Sequence, residues 1–197
     1  MPVSHMLAFA GHMIDLPGRV SPRFPAYAEH AVRLKLRAAI ERLAPAAAVS
    51  SVACGGDILF AEEILRYGAS LYVVLPFQDR ESFIHESVIH AGVQWVQRFE
   101  YMCARAAVPP YAVKSGAHQS DHDFAEGQRA LTFFALGFSR ALSLELKSLI
   151  LYDEAQAGDQ IGGTRSFVRL CTQLHIQHEQ IDLAAIRCEL QYNVMVQ

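Results

Sequence analysis

The run Val49-Ser50-Ser51-Val52-Ala53-Cys54-Gly55-Gly56-Asp57-Ile58-Leu59-Phe60-Ala61-Glu62-Glu63 decides the fold class. Val49 to Cys54 reads as a buried strand closed by Gly55-Gly56, and Ile58 to Tyr67 as a helix with Asp57 as its N-cap. Gly68 then ends that helix as a glycine in the left-handed position. Leu71-Tyr72-Val73-Val74-Leu75 follows as a clean apolar strand stopped by Pro76. A strand, a glycine turn, a helix and a second buried strand make a βαβ unit, whose two strands lie parallel.

The pattern continues on both sides. Upstream, Met6 to Ala10 reads as a buried strand ending in Gly11-His12, and a proline-marked loop runs from Asp15 to Pro25. A helix is expected from Ala26 to Leu43, with Ala28, Val32, Leu36, Ala39, Ile40 and Leu43 at helical spacing. Downstream, Asp79 to Ala106 reads as mainly helical with a break near Gly92. Val108 to His122 is irregular or holds one short strand, and Phe124 to Leu142 is a long apolar helix. Leu149 to Tyr152 is a strand, Asp153 to Thr164 a loop, Arg165 to Leu174 a helix, and Gln177 to Ile181 a last strand. Alternating strands and helices predict an α/β fold: a Rossmann-like three-layer sandwich with a mostly parallel sheet, formed by residues 1–197 as a single domain.

Composition narrows the functional classes. Of 197 residues, 52% are hydrophobic and 19% charged, which gives ample core and excludes a disordered chain. The net charge of −3, with no lysine–arginine block, disfavours general nucleic-acid binding. Mean hydropathy of +0.15 is high for a monomer and points to surface buried in a homo-oligomer. The cysteines Cys54, Cys103, Cys171 and Cys188 form no C-x-x-C pair and read as small buried hydrophobes in a reducing compartment. With no secretory leader and no apolar run of about 18 residues, the expected location is the cytoplasm, with no membrane partner.

Open α/β sheets bind ligands outside the carboxyl ends of their strands. Three turns carry special residues there: Gly11-His12, Cys54-Gly55-Gly56-Asp57 and Gly162-Gly163-Thr164. Glycines let a ligand approach the backbone, and a helix start favours phosphate. Asp57 reads either as a plain cap or as a partner for a ribose or base donor, since a carboxylate repels phosphate. Thr164 suits helix capping or a phosphate oxygen. Arg19 and Arg23 could grip a phosphate as a fork or stand in solvent. Phe77, just beyond a strand end, is placed to stack on a base. Neither G-x-G-x-x-G nor a P-loop is present, which disfavours a conventional dehydrogenase or NTPase and leaves no cofactor expected. His118 and His122 have a metal-like spacing of four, but Asp121 and Asp123 beside them suit a helix start better; His175 and His178 are weaker still, so no metal is expected. Trp95 and Phe99 fit a core stripe better than a base platform.

The run from Ala53 to Glu63, followed by Gly68-Ala69-Ser70 and the strand ending Leu75-Pro76-Phe77, resembles the SLOG superfamily. That group unites the DNA-processing Smf/DprA proteins, the LOG-type phosphoribohydrolases and stand-alone nucleotide sensors. The resemblance covers roughly Phe9 to Asp182 and implies a Rossmann-like domain that binds a nucleotide or a derivative, cyclic or ADP-ribose-like, and reports it to an effector protein. It carries over to Gly55, Gly56 and Asp57, to Gly162, Gly163 and Thr164, and, at the first-strand turn, to Gly11 and His12. LOG-type enzymes resemble P-G-G-x-G-T-x-E-E at the second turn. Here Arg165 and Ser166 follow Thr164, so that glutamate is missing. N-glycosidic hydrolysis needs a placed carboxylate, for which Asp57, Glu62 or Asp159 would have to substitute. The expected function is therefore binding or sensing, with a LOG-type N-glycosidase as the alternative and enzyme status open.

Overall fold

The computed structural model describes residues 4–76, 79–113, 121–154 and 163–195. Its centre is a six-stranded sheet formed by β1 (His5–Gly11), β2 (Pro45–Ser50), β3 (Ser70–Leu75), β4 (Tyr111–Ala112), β5 (Glu145–Tyr152) and β6 (Gln177–Asp182). The spatial order is β4-β3-β2-β1-β5-β6 and every pairing is parallel. From β1 the chain steps outward to β4, then returns to lay β5 on the other side of β1. That reversal makes the β1–β5 seam the switch point of the sheet.

The four inner strands, β3, β2, β1 and β5, are largely buried on both faces, and their residues sort by parity. Leu7, Phe9, Ala48, Leu71, Val73, Leu75, Leu149 and Leu151 join one core layer. Met6, Ala8, Ala10, Val49, Tyr72, Val74, Ile150 and Tyr152 join the other. The first layer is covered by α1 (Glu29–Leu43), α2 (Gly56–Tyr67), α3 (Arg80–Ser87), α4 (Val93–Arg105) and α7 (Leu183–Met195); the second by α5 (Asp121–Ala141) and α6 (Thr164–Gln173). Continuous apolar strands without alternation are what a doubly covered parallel sheet requires. Trp95 and Phe99 sit in the first layer, as their helical spacing predicts.

Two strands start earlier than their apolar runs suggest. Expected from Val49 to Cys54, β2 instead occupies Pro45–Ser50. Ala44 takes a left-handed C-cap and turns the chain directly into the sheet, and Val52 at φ 54° turns it out again. The alanines at 46–48 hid the strand because their β-propensity is low. At the other seam, β5 begins at Glu145 rather than Leu149, pairing from His5↔Glu145 onward. Helix α7 lies beyond the last expected element. Its Leu183 and Ile186 are buried, and Asp182 Oδ1 accepts the Ala184 N–H at its start (2.8 Å). Among the described residues, no helix is long and apolar enough to cross a membrane. Cys54, Cys103 and Cys171 are buried as expected, whereas Cys188 on α7 is exposed.

Candidate functional site

The carboxyl edge of β1 is built around its two neighbours. The His12 N–H continues the parallel ladder onto the Leu151 carbonyl of β5 (3.0 Å), and the His12 carbonyl accepts the Gly56 N–H at the start of α2 (3.1 Å). The Gly55-Gly56 turn therefore lies directly on the chain segment 11–14. Gly55 has φ 92°, and a Cβ there would stand 2.4 Å from the Ile14 nitrogen; a Cβ on Gly56 would stand 2.9 Å from Leu151 Cδ2 and 3.2 Å from Gly11 Cα. What approaches these glycines in the structure is the protein's own backbone. Cys54, Gly55, Gly56 and Asp57 are all buried.

Asp57 does not cap α2. The cap is Gly55, and Asp57 is the second helical residue. Its carboxylate turns inward instead, where Oδ1 accepts the Gly11 N–H (3.0 Å) and Oδ2 accepts the Ser51 hydroxyl. Burial pushes the carboxyl up to about 6, against the pull of those hydrogen bonds. Asp57 thus ties the end of β1 to the turn after β2. Likewise Thr164 is the first residue of α6, and the cap is Gly163 in an extended conformation with no side-chain bond. Thr164 is buried and Gly163 exposed.

The loop after β1 folds back on itself. Asp15 N–H donates to the Phe24 carbonyl (2.8 Å), and Asp15 Oδ2 accepts the Arg23 N–H (2.8 Å). Arg19 Nε donates to the Ser21 carbonyl (2.9 Å) and lies 3.5 Å from Asp15 Oδ1. Phe24 anchors the loop in the core. A residue outside the sequence expectations then locks this loop to β5. Arg187 of α7 donates through Nη1 to the Arg23 carbonyl (2.6 Å) and through Nη2 to Asp153 Oδ2 (2.7 Å), and Asp153 is fully buried. Asp153 follows a buried strand, which signals a carboxyl-edge position. Its partner was hidden because α7 itself was not expected.

His12 sits at the centre of this edge. It is 6% exposed, and its ring tilts against Tyr152 at 5.2 Å between centroids. The Asp153 backbone lies beside the ring. Nε2 is enclosed and has no hydrogen-bond partner among the described residues. Burial, then the positive charge of Arg23, pulls the imidazole down to about 4, although Asp153 pulls the other way; Arg19 adds to the lowering. His12 is therefore neutral near pH 7.

The structure brings Gly11, His12, Gly55, Gly56 and Asp57 into one hydrogen-bonded unit and sets Arg19 and Arg23 in the loop beside it. Gly163 and Thr164 begin the helix that follows β5, and α6 packs on β5 and β1. Phe77 and Gly162, and with them Asp159 and His118, lie outside the described residues. Among the described residues no group of three His, Cys, Asp or Glu side chains is arranged to hold a metal ion. A groove of about 500 Å³ lies elsewhere, at the amino end of β3, between Leu65, Gly68, Ala69 and Tyr101. Its Glu62 and Arg66 already form ion pairs with neighbouring helices.

No family model matches the chain, and no curated protein matches it. Among solved structures, the DNA processing protein A (DprA) of Streptococcus pneumoniae is similar at 11% identity and a TM-score of 0.37, over 89% of this chain and 58% of that one. The fold itself is an α/β, Rossmann-like one with an all-parallel six-stranded sheet.

Proposed function

We propose that this chain binds a nucleotide-derived small molecule in the crevice at the β1–β5 switch point and acts as a binder or sensor that reports to a partner protein. The observation that carries the reading is the convergence of His12, Arg19 and Arg23 at the carboxyl ends of these two strands, where open α/β sheets take their ligands. A neutral imidazole beside two arginines suits a ligand that mixes hydroxyl and phosphate groups. The hydrolase alternative is less favoured by the same geometry. Asp57 is buried and spent on Gly11 and Ser51, and Asp153 is spent on Arg187, so neither is a free acid or base.

The test is a thermal-shift panel of nucleoside monophosphates, cyclic dinucleotides and ADP-ribose, with each mixture then examined by mass spectrometry. A ligand at 100 times its Kd stabilises by about 2.7 kcal/mol, which is roughly 5–10 °C for a chain this size. A shift with intact ligand supports the binder. Release of free base would replace it with the hydrolase, and no shift across the panel would overturn the reading.

A further inference from the structure

The outward face of α5 is apolar at its centre and charged towards both ends. Phe133 stands at the middle and is 56% exposed, while the opposite face of the helix, through Leu131 and Ala135, belongs to the core. Glu126 lies seven residues before Phe133, and Arg140 lies seven residues after it. Seven residues are two helical turns less about 20°, so the three side chains form one line along the helix, about 10 Å apart. Ala130 and Gly137 flank Phe133 on one side; Gly137 is exposed, and a Cβ there would meet nothing within 4 Å. The charges of this line are not engaged by other elements. Glu126 pairs with Arg129 of the same helix (3.1 Å), and among the described residues no carboxylate pairs with Arg140. The other layer uses its arginines differently: Arg33, Arg37, Arg66 and Arg98 bind Glu29, Glu41, Glu62 and Glu63 and lace α1, α2 and α4 together.

An acid, an aromatic ring and a base at equal spacing make a line that is complementary to itself. Set antiparallel about a two-fold axis at Phe133, it lays Phe133 on Phe133 of a second copy and brings Glu126 of each copy to Arg140 of the other. A parallel pairing would set Glu126 against Glu126 and Arg140 against Arg140, which repel. A shallow crossing angle of about 20° keeps both ends of the line in contact. The small residues beside Phe133 let the two rings slide into offset contact, the arrangement that aromatic pairs prefer. A partner surface of a single sign would meet one end of the line favourably and the other unfavourably, so the order of charges selects a second copy of this chain. The mean hydropathy of +0.15 is that of a chain with surface to bury in an oligomer. We propose that α5 is the interface of a homodimer, in which two copies pack antiparallel through Glu126, Phe133 and Arg140. The proposal is independent of the ligand site at the carboxyl edge.

The experiment is sedimentation velocity of the full chain from micromolar to millimolar concentration, with the mass read against the 21.8 kDa of one copy. The parent should dimerise within this range. Phe133→Asp should weaken association by about a hundredfold, because the contact is lost from both copies at once. Glu126→Arg and Arg140→Glu should each weaken it by about tenfold or more, since by symmetry each turns two attractions into repulsions. Mixed in equal amounts, these two variants should associate as tightly as the parent: one copy then carries two bases and the other two acids, and both contacts are attractive again. The three positions are exposed or half-exposed, where substitutions change stability little, and circular dichroism of each variant checks that it is folded. A parent that stays monomeric throughout the range would overturn the proposal, and so would a dimer indifferent to Phe133→Asp. A mixture that associates no more tightly than either variant alone would overturn the antiparallel pairing and with it the interface as stated.

Discussion

Arg187 Nη2 lies 2.7 Å from Asp153 Oδ2, and the same guanidinium donates to the Arg23 carbonyl, so one side chain of the last helix joins the β1 loop to the end of β5. Removing it takes from a fully buried carboxylate a guanidinium at 2.7 Å. Arg187→Met should destabilise the chain by about 3 kcal/mol, and Asp153→Asn in that background should recover part of the loss. Urea unfolding of the two single variants and the double variant measures the coupling. A coupling near zero would mean that the pair contributes nothing.

Gly55 and Gly68 have almost the same φ, 92° and 91°, in different surroundings. A Cβ at Gly68 meets nothing within 4 Å, whereas one at Gly55 meets the Ile14 nitrogen at 2.4 Å. Gly68→Ala should therefore cost about 1 kcal/mol, the strain of a left-handed alanine. Gly55→Ala adds a backbone collision and should cost more than about 3 kcal/mol, or prevent folding. Gly55 also has ψ −124° against 13° at Gly68, so the gap between the two melting curves reads its rarer backbone conformation and the close approach together.

Acid should act on Asp57 and His12 in opposite directions. The Asp57 carboxyl is pushed up to about 6 from an ordinary 3.8, so the folded state holds its proton more tightly, and this group stabilises the fold as pH falls from 6 to 3.8. The His12 imidazole is lowered to about 4 from 6.5, so its contribution is complete above 6.5 and is lost as pH falls to 4. Between pH 4 and 6 the two slopes, each up to about 1.4 kcal/mol per pH unit, largely cancel. Relative to the parent, Asp57→Asn should lose stability on acidification over that window, and His12→Phe should gain it. Urea midpoints at three pH values read the slopes, which do not depend on what each substitution costs outright.

Glu63 is nearly buried on α2 and receives Arg33, Arg37 and Arg66. Burial works to raise its carboxyl, but the hydrogen bonds from Arg37, Arg66 and Arg33 prevail and hold it at about 2. Its stabilisation is present above the ordinary value of 4.5 and is lost as pH falls towards 2. Glu63→Gln should destabilise by about 1–3 kcal/mol at pH 7, and by progressively less below pH 4.5. Thermal melts at pH 7 and pH 3 test this. An equal loss at both would assign the effect to packing.

The parallel sheet was legible because its inner strands carry apolar runs buried on both faces, and the glycine turn after β2 was legible because two adjacent glycines between a strand and a helix mark a tight turn. The start of β2 was not, since alanines carry little strand signal and the burial that selects them is tertiary. Gly11, His12 and the loop arginines were readable as carboxyl-edge residues. What Asp57 touches was not readable, because a carboxylate after two glycines looks the same whether it caps its own helix or reaches a strand 46 residues away. Arg187 was invisible for a related reason: its meaning lies in Asp153, 34 residues earlier, and in a helix with a short buried stripe.

The place of β1 also bears on how the chain is made. His5 to Ala8 pair on one side with β2, which follows within about 35 residues, and all seven residues pair on the other with β5, which begins 134 positions after Gly11. At a synthesis rate of about 5–20 residues per second, that second edge waits roughly 7–27 s on the ribosome for its partner. During that interval the half-sheet presents an edge strand whose centre, Met6 to Ala10, is apolar, the kind of edge that neighbouring nascent chains can capture. Slowing translation between Ala112 and Glu145 should therefore lower the soluble yield, and a chaperone that shields β1 should restore it.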